Sequence, residues 1–312
     1  MAQSKSFFGI RSGSTKTLTF QRGAGGKQIT KDRVYEITNP RTNNQQGQRA
    51  KFAEVVQFYK RGIQAYFKFA YEDKRANESD YNAYMRHNVG LGVYMTKEQV
   101  NNVNVPMIGA YMMAGGSLPT LQISAKQENG NQNVLTPSGD ALVLTSADIV
   151  LPESGEAVMT IGTISRAIIR AYGLNGYQAG DILTVAYIYG DATFSTEAPY
   201  ITPGTTAPTW YILQMRLDPS SKQECDEELC NVANEAGKTL AFTGTTDSYG
   251  AFVVVSRETS QGLQVSTQHI VPSAEVATAI ETMRNDASWI DYCMTSWGAT
   301  GKAILQGALL GE

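Results

Sequence analysis

Apolar and polar positions follow two periods along this chain, in three successive stretches. Residues 15–23, "TKTLTFQRG", alternate, with Leu18 and Phe20 on one side. "GAGG" (23–26) then supplies a turn, and "KQITKDRVYEI" (27–37) returns. This predicts a long polar β-hairpin, with basic residues at Arg22, Lys27, Lys31 and Arg33. A two-stranded hairpin is marginal by itself in water, so it is expected to pair with, or lie on, something else. A helical period follows. Phe52, Val55, Val56, Tyr59, Ile63, Tyr66, Phe67 and Ala70 recur at three- and four-residue steps, which predicts an amphipathic helix ending near Phe69.

That helix is entered through "ITNPRTNNQQGQRAKF" (37–52), dense in amides and guanidinium groups. Asn39 before Pro40 fits an N-cap with proline at the first helical position; Thr42 with Gln45 offers a capping box later. The first turns are nearly without apolar anchors and are expected to project from the core. "NESDYNAYMRHNVG" (77–90) predicts a second helix capped by Ser79, with Tyr81, Tyr84, Met85 and Asn88 on one face, packed against the first helix.

From about Pro106 the period shortens to two. Strands are predicted over 119–127, 141–145, 181–190, 209–218, 239–244, 249–258 and 262–271, with a hairpin turn at Thr259–Gly262. A helix over 162–173 is closed by Gly173. The segment 273–298 reads as a single C-terminal helix starting at Ser273. Its apolar stripe is Ala277, Ile280, Met283, Ala287, Ile290, Met294 and Trp297. The expected fold class is α+β. A basic hairpin and two helices fill residues 1–105, and a β-rich, sandwich-like body with a C-terminal helix fills 106–312.

Charge changes this picture. The net charge of −3 hides an asymmetry: residues 1–71 hold thirteen Lys/Arg against three Asp/Glu, and the remainder thirteen against 26. A basic quarter on an acidic body suits polyanion contact or head-to-body attraction between neighbouring copies. A solvated basic face without a partner is the plain alternative.

Catalytic chemistry is sparse. Two His and three Cys are present, too few for a disulfide framework or a zinc cluster. Gly23–Thr30 lacks phosphate-loop spacing, and no GxSxG elbow occurs. Cys293 with His269 reads better as core packing than as a nucleophile pair. "CDEELC" places Asp226, Glu227 and Glu228 in a short acidic loop without the alternating ligands of a calcium loop. That loop is either solvated or a docking patch for a neighbour's basic head. No cofactor, no metal and no enzymatic activity are expected. "MAQSKSFFGIRSGSTK" shows no apolar h-region, so no signal peptide is expected, and no segment nears the roughly 18 apolar residues of a membrane span.

The opening cassette resembles an uncharacterised protein family common in Bacteroidetes genomes and in phages that infect them. The matching positions are Asn39, Pro40, Arg41 and Thr42, then Gln45, Arg49 and Phe52, then Phe67 and Phe69, then Ser79, Tyr81 and Asn82. The family's hairpin carries Trp-Arg-Gly; here Phe20, Arg22 and Gly23 stand in its place. The match covers about the first 90 residues and implies no established enzyme activity. Occurrence in crAss-like and related phages looks like a virion structural role, such as a connector or tail-ring subunit. The resemblance then implies a chain folded in the host cytoplasm and assembled into the virion. Its partners would be copies of itself, other virion proteins and, on a second reading, the DNA backbone. A head fibre or capsid decoration protein is a further reading. The interface residues expected are Arg22, Lys27, Arg33, Asn39, Arg41, Thr42, Gln45, Gln48, Arg49, Asp226, Glu227 and Glu228.

Overall fold

A computed structural model describes residues 13–14, 16–22, 28–33, 41–60, 66, 70–102, 111–128, 131–173, 176–206, 208–244, 248–260 and 262–299. The chain divides into two compact units, residues 1–41 and 42–312. In the first, β1 (Gly13–Ser14), β2 (Leu18–Arg22) and β3 (Gln28–Asp32) form an antiparallel sheet in that order. Leu18 faces Asp32 and Arg22 faces Gln28, as the alternation predicts. Leu18, Thr19 and Phe20 are only half-buried, and Ile29 to Arg33 are exposed.

The second unit is built on one antiparallel sheet: β12 (Gly262–Val265), β11 (Ser248–Thr259), β6 (Ile182–Tyr189) and β9 (Thr209–Arg216), with β13 (His269–Pro272) also on β11. Strands β6 and β11 are apolar almost without interruption because both of their faces are covered. Ala186, Ile188, Phe252 and Val254 point into one core cluster; Leu183, Val185, Tyr187, Ala251, Val253 and Val255 point into the other. This is the period-two geometry of a strand applied to a middle layer.

The first cluster is roofed by the helices α1 (Asn43–Lys60), α2 (Asp80–Asn88), α5 (Ala274–Asn285) and α6 (Ala287–Ser296), which contribute Val55, Phe58, Tyr84, Ile280, Met283 and Trp289. Short α3 (Lys97–Asn102) and the β7–β8 ribbon (Thr193–Phe194, Ile201–Thr202) lie in the same unit. The second cluster is closed by β4 (Gln122–Glu128), β5 (Asn131–Leu135), β10 (Ala241–Thr243) and α4 (Ile161–Tyr172). The fold is α+β with a sheet-on-sheet body. The two helices grouped with the hairpin in 1–105 lie in the second unit, where Tyr84 and Val55 share a core with Phe252.

Local expectations fare unevenly. Ser79 caps α2, accepting from Asn82 N–H at 3.2 Å, and Gly173 ends α4 at φ +70°, a left-handed conformation that favours glycine. The hairpin turn falls where Thr259 pairs with Gly262. Three readings need correction. Helix α1 is described as far as Lys60, and the predicted end at Phe69 lies outside the described residues; Tyr66, predicted inside the helix, sits in a 3₁₀ turn and Ala70 in a bend. Residues 141–145 make only isolated bridges, Ala141 to Leu135 and Val143 to Thr239. The single C-terminal helix is two, broken at Asp286 (φ −85°, ψ 102°), whose carboxylate accepts from the N–H groups of Ser288 and Trp289 and so caps α6. The break rotates the buried stripe of α6 to Trp289 and Cys293 instead of Ile290 and Met294.

Two buried carboxylates brace the body. Asp181 takes a two-pronged contact from Arg257 (Nε 2.7 Å, Nη2 2.7 Å), and Asp148 takes one from Arg170 (Nη2 2.7 Å, Nε 2.9 Å). The planar guanidinium fork satisfies both oxygens at once, which offsets part of the cost of removing the carboxylate from water.

Candidate assembly surface

The predicted interface residues fall in three places. Lys27 and Asn39 lie outside the described residues; Arg22 lies in β2, and Arg33 is exposed directly after β3. Arg41 is exposed just ahead of α1. Asp226, Glu227 and Glu228 are exposed in the loop between the buried Cys225 and Cys230.

The cassette resolves into two faces of one helix. Thr42 is its cap: Thr42 Oγ1 accepts from Gln45 N–H at 3.4 Å, the later of the two capping alternatives. Beyond it, Gln45, Gln48, Arg49 and Phe52 are exposed at three- and four-residue steps, one stripe about 10 Å long at 1.5 Å per residue. Phe52 is 49% exposed, where the apolar stripe predicted a core position. The phenyl ring thus lies at the surface beside two amides and a guanidinium group.

The other face overturns the expectation that the first turns project. Gln46, Gly47 and Ala50 are buried. A Cβ on Gly47 would meet Met294 Sδ at 3.3 Å, so the small residue lets α1 lie close on α6. With its amide nitrogen donating to the Trp297 carbonyl (3.0 Å), Gln46 satisfies an orphan group at the end of α6, and its oxygen accepts from Arg49 Nη1 (3.3 Å). Thus some of the cassette's amides work inside the chain. An apolar-periodicity search cannot see a helix docked through glycine, alanine and a glutamine.

Deeper in the same helix, Glu54 is buried and accepts from Tyr111 Oη and from Val93 N–H (3.3 Å). Burial pushes its carboxyl up to about 8, against the lowering pull of Tyr111, Val93, Lys51 and Arg284. Nothing in the sequence pattern marked this residue, since a lone Glu between apolar neighbours on an amphipathic helix reads as surface.

The acidic loop is held by its backbone. Asp226 Oδ1 accepts from Glu228 N–H (2.9 Å), Asp226 O accepts from Leu229 N–H (2.9 Å) and Cys230 N–H (3.0 Å), Glu227 O accepts from Thr243 Oγ1 (2.8 Å), and Glu228 O from Tyr187 Oη (3.3 Å). The carboxylates of Glu227 and Glu228 therefore face water from a fixed frame. Cys225 and Cys230 behind them are free, and burial pushes their thiols up, to about 12 and about 11. Cys293 is free and buried, and hydrogen-bonds the Tyr94 carbonyl through sulfur at 3.6 Å. A raised thiol is a poor nucleophile, in keeping with packing.

Among the described residues no group of three or more His, Cys, Asp and Glu could hold a metal ion, and no helix is long and apolar enough to cross a membrane. A family model described as a family of unknown function (DUF6266) matches residues 19–172, from β2 to the last residue of α4. No curated protein and no solved structure matches the chain.

Proposed function

We propose that the protein is a structural subunit of a phage virion. It acts by assembly, as one copy in a closed homo-oligomeric ring of the head-to-tail connector or tail, and not as an enzyme. The observation that carries the assembly reading is the exposed face of α1, where Gln45, Gln48 and Arg49 form one stripe with a half-exposed Phe52. Amides can be buried at lower cost than charges, Arg offers a planar fork to a carboxylate, and an aromatic anchor supplies the apolar area. The acidic loop at 226–228 presents the carboxylates such a fork would meet on another copy. A head-to-tail contact between unlike patches is what generates a ring when its rotation closes. Placement in a virion rests on the resemblance of the cassette at 39–52 to the phage-borne family.

The basic N-terminal quarter favours a second reading, contact with the DNA backbone by an internal virion protein, which would weaken steeply with salt. Light scattering of the purified chain across a salt series tests the first reading. A large discrete species that loosens with salt and is lost in Arg49→Glu is expected. A head fibre or decoration protein would instead give two or three copies. An Arg49→Glu oligomer of unchanged mass would remove this helix face from the contact.

A further inference from the structure

Strand β9 pairs with β6 over eight residues without a bulge, Ile182 against Arg216 through Tyr189 against Thr209. Among the described residues no strand pairs with its outer side. The opposite margin of the sheet is treated differently: Leu118 bridges to Ser266 there, donating its N–H to the Val265 carbonyl at 3.0 Å. Folded proteins usually blunt a long strand edge with charge, proline, a bulge or a covering segment. From Trp210 to Met215, β9 has no charge and no proline, and its register is unbroken.

The middle of this edge, Trp210 to Leu213, is apolar on both faces and unfinished. Trp210 and Ile212 lean on the helical cluster, Tyr211 and Leu213 on the other, and all four are half-buried. Tyr211 is fixed by stacking on Tyr187 (5.0 Å) and Tyr189 (5.3 Å), with a 2.7 Å bond from Tyr189 Oη. A strand that completed this edge would have to be apolar on both faces at its middle, opposite Tyr211 to Leu213. A surface hairpin strand, polar on one face, does not qualify; β9 itself does, and a second copy always carries it.

We propose that β9 pairs antiparallel with β9 of a second copy, joining the two sheets across a two-fold axis at Leu213. A two-fold axis normal to a sheet returns every side chain to its own face, so it must pass where a residue meets itself. At Leu213 this sets Trp210 opposite Arg216 and Tyr211 opposite Met215, an aromatic–guanidinium and an aromatic–sulfur pair. At Ile212 it would set Arg216 opposite Pro208, outside the strand. The two Arg216 side chains end up six residues apart along the strands, about 20 Å, well beyond the roughly 8 Å screening length. The contact goes beyond the ring reading and does not rest on it. Combined with a head-to-tail contact, it would give an even copy number.

The test uses the full chain. Leu213→Cys is expected to run at twice its mass without reductant and at single mass with it. Gln214→Cys, whose mates would lie on a diagonal about 7–8 Å apart, stays single. Gln214→Lys places a charge at an exposed position of the edge and is expected to halve the native mass by light scattering while leaving thermal unfolding of the chain unchanged. Crosslinking at 214 but not 213, or at neither, overturns the pairing, as does an unchanged mass for Gln214→Lys. A large ring that ignores all three variants keeps the assembly reading and removes this one. A dimer that obeys them, with no larger species, keeps this one and removes the ring.

Discussion

Tyr111 donates its hydroxyl to Oε1 of Glu54 inside the helical core, and Oε2 of the same carboxyl meets no hydrogen-bond partner among the described residues. Such an arrangement suits the protonated acid, because an ionised carboxylate with an unsatisfied oxygen is costly in an apolar site. Burial holds the folded-state value near 8, against 4.5 ordinarily. The folded state therefore binds this proton more tightly than the unfolded state does. Stability attributable to Glu54 is complete below about pH 4.5 and declines as pH rises to about 8, at up to roughly 1.4 kcal/mol per pH unit. The total over that window is on the order of 5 kcal/mol at most. Glu54→Gln keeps the shape and removes the titration. Denaturant unfolding of the parent chain is expected to weaken between pH 5 and pH 9, and that of the variant to stay flatter; parallel curves would refute the protonated acid.

Substitution of Phe52 tests assembly apart from folding. Its ring is half-exposed, so Phe52→Ala removes little from the monomer core, and the unfolding free energy should stay within about 0.5 kcal/mol. At an interface, truncating an aromatic anchor costs about 2 kcal/mol or more, a drop in affinity of about thirtyfold. Light scattering over a dilution series is expected to show dissociation at higher protein concentration than in the parent. A folded variant with unchanged association would mean that Phe52 is merely a surface aromatic.

Much of the body was legible because its strands announce themselves. The run Ala251–Val255 and the run Leu183–Ile188 are apolar at almost every position, as strands covered on both faces must be. Strand β5, "NQNVL", escaped because three of its five residues are amides, although Val134 is fully buried. The C-terminal break escaped for another reason. Asp286 and its neighbours fit a continuous helical stripe equally well, and only tertiary packing of Trp289 and Cys293 selects the capped alternative. The candidate surface was half visible: Gln45, Gln48 and Arg49 stand where polar character placed them, whereas Phe52 is exposed against its apolar character and the burial of Gln46 depends on the close approach of α1 to α6.

Gly47 sets that distance. A leucine there would drive its side chain into Met294 and the Tyr94 ring, whose nearest atoms already lie 3.3 and 3.5 Å from an ideal Cβ. Overpacking of this kind costs about 1–3 kcal/mol. Gly47→Leu is expected to lower the denaturation midpoint without changing its slope. Gly47→Ala makes only contacts that Met294 can yield to, and it raises helix propensity by up to about 1 kcal/mol. A leucine variant as stable as the alanine variant would show that α1 does not rest on α6 at this point.

Asp286 ends one helix and begins the next, and it also accepts from Tyr200 Oη at 2.5 Å. The Tyr200 hydroxyl, followed by the N–H groups of Trp289 and Ser288, holds the Asp286 carboxyl below its ordinary value despite some desolvation. The sign is opposite to that of Glu54: the stabilisation is present above the unfolded value near 3.8 and is lost as pH falls through the lower folded value. Asp286→Ala removes the cap of α6 and the acceptor of Tyr200 together, for about 1–3 kcal/mol at neutral pH. Asp286→Asn retains a capping oxygen and should recover most of that loss, since Asn ranks with Asp at this position. Unfolding of the three chains at pH 7 and pH 3 checks this. The gap between parent and alanine variant should narrow in acid, and equal gaps at both pH values would mean that the charge of Asp286 contributes nothing to the cap.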